Sequence, residues 1–392
     1  MAKEAFSMDE YYKKLQKEDK DAIVNLKERT PIDFIPTGSW VVNTLIGDGT
    51  LQDKPGGLPR GHVVEIRGNE SSGKTTLLLS AIRQAQEMGG ACLLLDFEQT
   101  FHSKYAENLG VSLDKKKLLV AQPMHFQQGA RMIKDALSAK PWIIGVDSVA
   151  AMTPKEVFEG KIDEGGRIGL HAQLMSAFLQ IITKYLKEAN TCLVFNNQLR
   201  NIIKASKYDK GPDKESTGGN ALRYYASVRI DLEKGYVERV ERISAITGKK
   251  EKEPVNVTSK VSIIKNKIDK PFKQAPIFIK FGEGIDNIMS IIELAVNLGV
   301  IKQSGAFYTF SQGNEQVLKC QGKQALWKEL NENAKSFKLL QSHLVISKDA
   351  QVEERYKDEQ DSPPADEMDQ MLENVASTYV EKKKRQKEAT AE

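Results

Sequence analysis

Gly68-Asn69-Glu70-Ser71-Ser72-Gly73-Lys74-Thr75 is the stretch on which the reading of this chain turns. It satisfies G-x-x-x-x-G-K-[ST], in which glycines let the backbone wrap a phosphate with successive N–H groups pointing inward. Lys74 is then placed to reach β- and γ-phosphates, and the Thr75 hydroxyl to ligate Mg²⁺. The apolar run Val63-Val64-Glu65-Ile66 before it predicts a strand, and Leu77-Leu78-Leu79 after it predicts a helix whose N-terminus favours an anion. Strand, loop and helix in that order separate the motif from a chance glycine-rich turn. The motif specifies a nucleotide and leaves its use open.

Working outward, apolar runs alternate with helical stretches. Strands are expected at Val63–Arg67, Ala91–Phe97, Leu118–Ala121, Trp142–Asp147, Thr191–Asn196 and Val228–Leu232, with helices at 75–88, 101–109, 126–139 and 171–189. That alternation predicts an α/β fold, a mainly parallel sheet covered on both faces, with a later strand pair at Val261–Lys265 and Ile277–Phe281. In such a sheet the C-terminal strand ends converge on the ligand. Ile143-Ile144-Gly145-Val146-Asp147 ends an apolar strand in the carboxylate that a phosphate loop needs to hold its metal shell. Leu93-Leu94-Leu95-Asp96-Phe97-Glu98 puts Glu98 beyond a neighbouring tip, where it would serve as the base that activates water. A solvated loop carboxylate is an equally open reading of Glu98 on the residues alone. A third strand, Cys192 to Asn197, leads into Gln198, whose amide is placed to contact a γ-phosphate and report it to the following loop. That loop, Arg200 to Ser216, carries Arg200, Lys204, Lys207, Lys210 and Lys214 with Tyr208 among them. Cations neutralise backbone phosphates and aromatic groups stack on bases, which points to nucleic acid rather than a plain polar surface loop.

A chain of 392 residues accommodates one large α/β domain with attachments. No apolar run reaches the roughly 18–20 residues of a membrane span. Met1 to Lys20 is charged and lacks a signal core, so a cytoplasmic protein is expected, with no membrane partner. The three cysteines, Cys92, Cys192 and Cys320, are expected to be reduced thiols, and neither they nor the five histidines show metal-site spacing. The net charge of +4 hides a basic centre from Arg200 to Lys273, an acidic stretch from Asp349 to Glu373 and a basic run at Lys382–Lys387. Four regions follow: an amphipathic helix and linker at 1–35, a core at 36–284, a small α/β domain at 285–347, and a charged tail at 348–392 expected to be largely disordered. The N-terminal helix, read over 8–28, suits either a neighbouring subunit or its own domain.

Several segments together resemble the bacterial RecA recombinase family. Beside the phosphate loop they are Val146-Asp147-Ser148-Val149-Ala150-Ala151-Met152-Thr153-Pro154-Lys155 and Gly218-Gly219-Asn220-Ala221-Leu222-Arg223-Tyr224-Tyr225-Ala226-Ser227-Val228-Arg229. Lys265-Asn266-Lys267, Pro271-Phe272-Lys273-Gln274 and Phe281-Gly282-Glu283-Gly284-Ile285 complete the match, in order, from about residue 10 to 340. The resemblance implies a RecA-type ATPase core and a helical filament of identical subunits on single-stranded DNA. That filament is assembled with ATP and Mg²⁺, pairs with homologous double-stranded DNA and exchanges strands. It implies ATP between subunits, contacted by Gly68, Glu70, Ser71, Ser72, Gly73, Lys74, Thr75 and Thr76, with Tyr105 stacked on adenine. It makes Glu98 the catalytic carboxylate, Asp147 the metal-positioning acid, Gln198 the coupler to DNA, and Lys265 and Lys267 cations reaching the neighbour's ATP. DNA contacts fall in or near two loops, Glu159–Gly169 and Arg200–Gly219. They involve Arg167, Ile168, Ser176, Arg200, Ile203, Lys204, Lys207, Tyr208, Gly218, Gly219 and Asn220.

The chain departs from the family's pattern in several places. His102 stands where an acidic residue is usual, Gln173 and Gln180 replace arginines that touch DNA, and Tyr224 replaces a phenylalanine. Asp48–Pro55 is an insertion and the terminal basic run is unusual, which marks a divergent member of bacterial or bacteriophage origin. A ring-forming DNA helicase or motor on the same core is the alternative, since fold does not fix function. It would need an arginine finger of helicase type, where this chain has the Lys265 and Lys267 pair. A DNA-coating protein with a decayed site is the third reading, and intact Lys74, Glu98 and Asp147 speak against it.

Overall fold

The computed structural model describes residues 7–18, 32–47, 56–160, 169–201, 214–216, 219–243, 248–313 and 315–344. Contacts divide the chain into two units, one ending at Ser290 and one beginning at Ile291. This division lies within a helix, a few residues beyond the 284/285 boundary expected from sequence. The tail from 348, the insertion Asp48–Pro55 and the second half of the expected helix over 8–28 lie outside the described residues.

The first unit begins with α1 (Met8–Glu18), none of whose residues is buried. Then come β1 (Phe34–Ile35), α2 (Trp40–Ile46), β2 (Leu58–Pro59), β3 (Val63–Gly68), α3 (Lys74–Glu87), β4 (Cys92–Asp96), α4 (Ser103–Asn108), β5 (Leu118–Ala121) and α5 (Phe126–Ala136). They are followed by β6 (Ile143–Asp147), α6 (Lys155–Phe158), α7 (Leu170–Ala189), β7 (Cys192–Asn201), β8 (Lys214–Ser216) and α8 (Ala221–Tyr225). The unit closes with β9 (Val228–Ile243), β10 (Lys250–Asn266), β11 (Gln274–Lys280), β12 (Gly284–Asp286) and the start of α9 (Asn287–Asn297). One ten-stranded sheet runs β12-β11-β10-β9-β3-β7-β6-β4-β5, with β8 paired to β7. The pairs β9–β3, β3–β7, β7–β6, β6–β4 and β4–β5 are parallel, and β9 to β12 are joined antiparallel.

The parallel strands are the near-continuous apolar runs of the sequence, because helices on both faces bury both sets of side chains. Val63, Leu95, Ile144, Val146, Leu193 and Phe195 pack with Met175, Leu179 and Ile182 of α7 in one cluster. Leu77, Leu78, Ala81, Ile82 and Ala85 of α3 are fully buried as well. The sequence-expected strands and helices of this core are all present, with ends displaced by a few residues.

Two departures lie at the extended ends of strands. β7 continues past Asn197 to Asn201, so Gln198 lies within the strand, and β8 pairs back on it through Leu199–Ser216, Arg200–Glu215 and Asn201–Lys214. β9 and β10 run far beyond the short strands expected, as an antiparallel ribbon whose last rung joins Ile243 to Lys250. Its outer part is exposed on both faces, and register shifts near Pro254, Val257 and Ile263 break the two-residue period by which a strand is recognised.

In the second unit β13 (Ile301–Ser304), β14 (Phe307–Gln312) and β15 (Glu315–Gln321) form an antiparallel sheet, followed by α10 (Lys323–Glu332) and a helix over 334–344. Ile292, Ala295, Ile301, Phe310, Leu326, Leu330 and Leu340 form its buried interior. Cys92 and Cys192 are buried free thiols, and burial pushes the Cys92 thiol up to about 12.

Candidate functional site

The phosphate loop joins β3 to α3 at the C-terminal edge of the parallel strands. Gly73 has φ of +97°, and a Cβ there would stand 2.2 Å from Ile279 Cδ1, so only glycine fits. Ser71 is also left-handed, with φ of 56°. Ser72 Oγ donates to the Asn69 carbonyl at 2.9 Å and steadies the turn. Lys74 lies across the loop, its ammonium donating to the carbonyls of Gly68 at 3.0 Å and Asn69 at 2.8 Å. Burial lowers its proton affinity, while Asp147, Glu98 and Glu70 raise it.

The acids arrive on the neighbouring strands. Asp147, the last residue of β6, accepts from the Thr75 hydroxyl at 2.7 Å. Burial pushes this carboxyl upward, opposed by Thr75, by the nearby Asn196 amide and by Lys74, while Glu98 adds to the rise. Glu98 Oε1 accepts from the Ser148 hydroxyl and from Gln198 Nε2, the latter at 3.2 Å. Tyr105 OH is paired with the Thr76 hydroxyl at 2.7 Å, so α4 is pinned to the first turn of α3. The structure therefore brings Gly68–Thr76, Glu98, Tyr105, Asp147 and Gln198 into one connected set.

Several contributors escaped sequence reasoning. Asp96 is buried and accepts from Thr100 N, Phe101 N and Gln122 Nε2, which shapes the turn that carries Glu98. His102 Nδ1 accepts from Tyr105 N at 3.1 Å, so the residue that replaces an acid there caps α4. Glu65, wholly buried on β3, accepts from Asn197 Nδ2 of β7 at 2.9 Å and from Arg229 Nε of β9 at 2.5 Å. A lone Glu in an apolar strand was the available signal, since an unpaired buried carboxylate is not tolerated. Asn196 beside it is wholly buried, and among the described residues neither its nitrogen nor its oxygen has a hydrogen-bond partner.

The donor set suits a hydrated divalent cation with a phosphate chain. It offers a hydroxyl and a carboxylate as hard oxygens, an ammonium, and a buried amide that solvent or a ligand must complete.

Lys265 and Lys267 stand elsewhere. Lys265 Nζ donates to the carbonyls of Arg223 at 2.7 Å and Tyr224 at 2.9 Å, at the end of α8. Burial, then Lys267, Arg229 and Arg223, lower its proton affinity, and Glu65 opposes them. Among the described residues neither lysine is hydrogen-bonded or ion-paired to the phosphate loop. Tyr224 beside them is 67% exposed.

Of the expected DNA contacts, Arg167, Ile168, Ile203, Lys204, Lys207, Tyr208 and Gly218 lie outside the described residues, and Arg200 is placed only as main chain on β7. Ser176 lies on an exposed face of α7 with Gln173 and Gln180. Gly219, with φ of +69°, meets that helix closely enough that a Cβ would stand 2.8 Å from Ala172 Cβ, and Asn220 follows at the start of α8. The ends of the two expected loops thus meet on one side of the sheet.

Among the described residues no helix is long and apolar enough to cross a membrane. A family model described as the RecA N-terminal domain matches residues 7–286. Protein RecA of Campylobacter jejuni subsp. doylei is 40% identical over 308 residues, 78% of this chain and 83% of that protein. Protein RecA of Porphyromonas gingivalis is 39% identical over 317 residues, 80% of this chain and 85% of its own length. That of Campylobacter fetus subsp. fetus is 41% identical over 285 residues, covering 72% and 76%. With Asp147 bonded to Thr75 of the phosphate loop, Glu98 bonded to Gln198, and likeness over most of its length, the chain belongs to the RecA family of DNA-dependent ATPases that act in recombination and repair.

Proposed function

We propose that the protein binds ATP with Mg²⁺, polymerises on single-stranded DNA, and pairs that strand with homologous double-stranded DNA for exchange in a cytoplasmic setting. The observation that carries this reading is the contact between Gln198 and Glu98, because it joins the hydrolytic carboxylate to the strand that enters the basic loop. Lys74 neutralises the phosphates, Thr75 and Asp147 hold the cation, and Tyr105 faces the base. The cation, when bound, draws charge from the β- and γ-phosphates. Glu98 orients and deprotonates water. Gln198, bonded to Glu98, is placed to exchange that contact for a γ-phosphate and to reorder the strand that follows.

Lys265 and Lys267, clustered with Arg223 at the end of α8, form a basic group that a neighbour's phosphates complete. In this reading residues 1–35 dock on the next subunit, 36–284 form the ATPase core, 285–347 receive duplex DNA, and 348–392 are a regulatory tail. Arg167, Ile168, Ser176, Arg200, Ile203, Lys204, Lys207, Tyr208, Gly218, Gly219 and Asn220 line the DNA path.

Electron microscopy with single-stranded DNA and a non-hydrolysable ATP analogue tests the assembly. Open helical filaments are expected, closed rings would favour the helicase alternative, and no assembly rejects both. Substituting alanine for Lys204 and Lys207 together should reduce the log–log salt slope of single-strand binding by about 1.4, since each phosphate contact contributes about 0.7. An unchanged slope removes both lysines from the DNA path.

A further inference from the structure

Asn196 sits on β7 between the two strands that frame the nucleotide site. It is opposite Ile66 of β3, and its neighbour Phe195 is opposite Val146, the residue before Asp147. Side chains alternate along a strand, so Asn196 shares its face with Gln198. It is 0% exposed, yet among the described residues neither Nδ2 nor Oδ1 has a hydrogen-bond partner. Its amide still interacts with the Asp147 carboxylate and favours the charged form of that group, but outside the distance and angle of a regular hydrogen bond.

A buried amide without regular hydrogen bonds destabilises a fold, because both groups lose water and a loose contact with one carboxylate repays little of it. Val194 and Phe195 before it are fully buried, and a branched aliphatic side chain would serve the strand at this point. Such a group in a native protein indicates a water or ion that completes it. Mg²⁺ surrenders its waters reluctantly and keeps several when bound to a carboxylate and phosphates. Groups that hold those waters set the ion's affinity although they never touch it.

We infer that Asn196 is a positioning residue for the cation. Its amide holds water of the hydrated ion that Thr75 and Asp147 ligate, so the nucleotide–metal complex supplies the hydrogen bonds that the protein itself does not. The inference rests on the nucleotide–metal reading above and adds a residue whose effects on stability and on metal affinity have opposite signs.

The test uses the full chain with Asn196→Leu, and with the smaller Asn196→Val in case leucine disturbs folding. Without ligands the thermal midpoint of either variant should rise by about 2–4 °C, the shift that relief of one unmet buried group produces in a domain of this size. The Mg²⁺ concentration giving half of the midpoint shift induced by ADP should increase about 10-fold, whereas ADP in EDTA should stabilise variant and parent alike. A Mg²⁺ requirement equal to the parent's overturns the inference whatever the midpoint does, since Asn196 is then a packing residue. If the parent itself shows no Mg²⁺ dependence, the metal reading falls and this inference with it. If the parent depends on Mg²⁺ and the variants match it, only the inference falls.

Discussion

Lys74→Ala is expected to lower ATP turnover by about 10²–10³-fold while the fold is retained. The ammonium is held over the carbonyls of Gly68 and Asn69 and is influenced by three carboxylates, Asp147, Glu98 and Glu70. A cation preorganised in a partly dehydrated site stabilises developing charge far better than one recruited from solvent, and loss of one such group typically costs about 2.7–4 kcal/mol. Lys74→Arg should not restore turnover, because a planar fork cannot replace a point charge on a narrow loop.

Glu98→Ala separates binding from chemistry. It removes the acceptor for Gln198 and Ser148 but no phosphate contact, so nucleotide-dependent DNA binding should persist while steady-state hydrolysis is lost. Hydrolysis at the parent's rate by this variant would sink the catalytic assignment. ATP turnover and analogue-dependent binding to a labelled single strand, measured side by side, decide both points.

Legibility in the sequence followed burial. β3, β4, β6 and the first half of β7 are largely apolar and buried on both faces, and their pattern admits one reading once the phosphate loop fixes the order of strand, loop and helix. Asp147 and Glu98 could be placed because the ends of parallel strands converge, and the structure brings Asp147 to 2.7 Å from Thr75. What stayed hidden depends on partners distant in sequence. Asp96 gains the Gln122 amide only when β5 is brought beside β4, and the pairing of Glu65 requires Arg229, 164 positions away. The outer ribbon of β9 and β10 buries almost nothing, so no hydrophobic period marked it. Lys265 has two settings. The family resemblance implies a place at a neighbour's nucleotide, and within one chain Lys265 caps the end of α8.

The second large effect is on stability. Glu65→Gln should cost about 3–5 kcal/mol, a substantial part of the total for a domain whose stability is on the order of 5–15 kcal/mol. Glu65 and Arg229 are direct neighbours across the parallel pair of β3 and β9, and their side chains are 0% and 9% exposed. The glutamine keeps an oxygen for the Asn197 amide but takes away the buried carboxylate that faces the guanidinium. The penalty is therefore the desolvated cation rather than the lost hydrogen bond. The pairing also sits at a functional junction. Arg229 is opposite Lys265 on β10, and Glu65 is the anion that opposes the effect of Lys267, Arg229 and Arg223 on that lysine. Without it, four cations face one another at the end of α8. Glu65→Gln combined with Arg229→Met removes both charges and should recover most of the loss, because a buried ion pair replaced as a unit by neutral groups of similar volume is close to neutral. Urea titrations decide it: the single variant should unfold at a lower midpoint with an unchanged m-value, and the double variant near the parent. A single variant as stable as the parent, or a double variant no better than the single, would show that the Arg229 charge is solvated and that the ion pair does not hold β3 to β9.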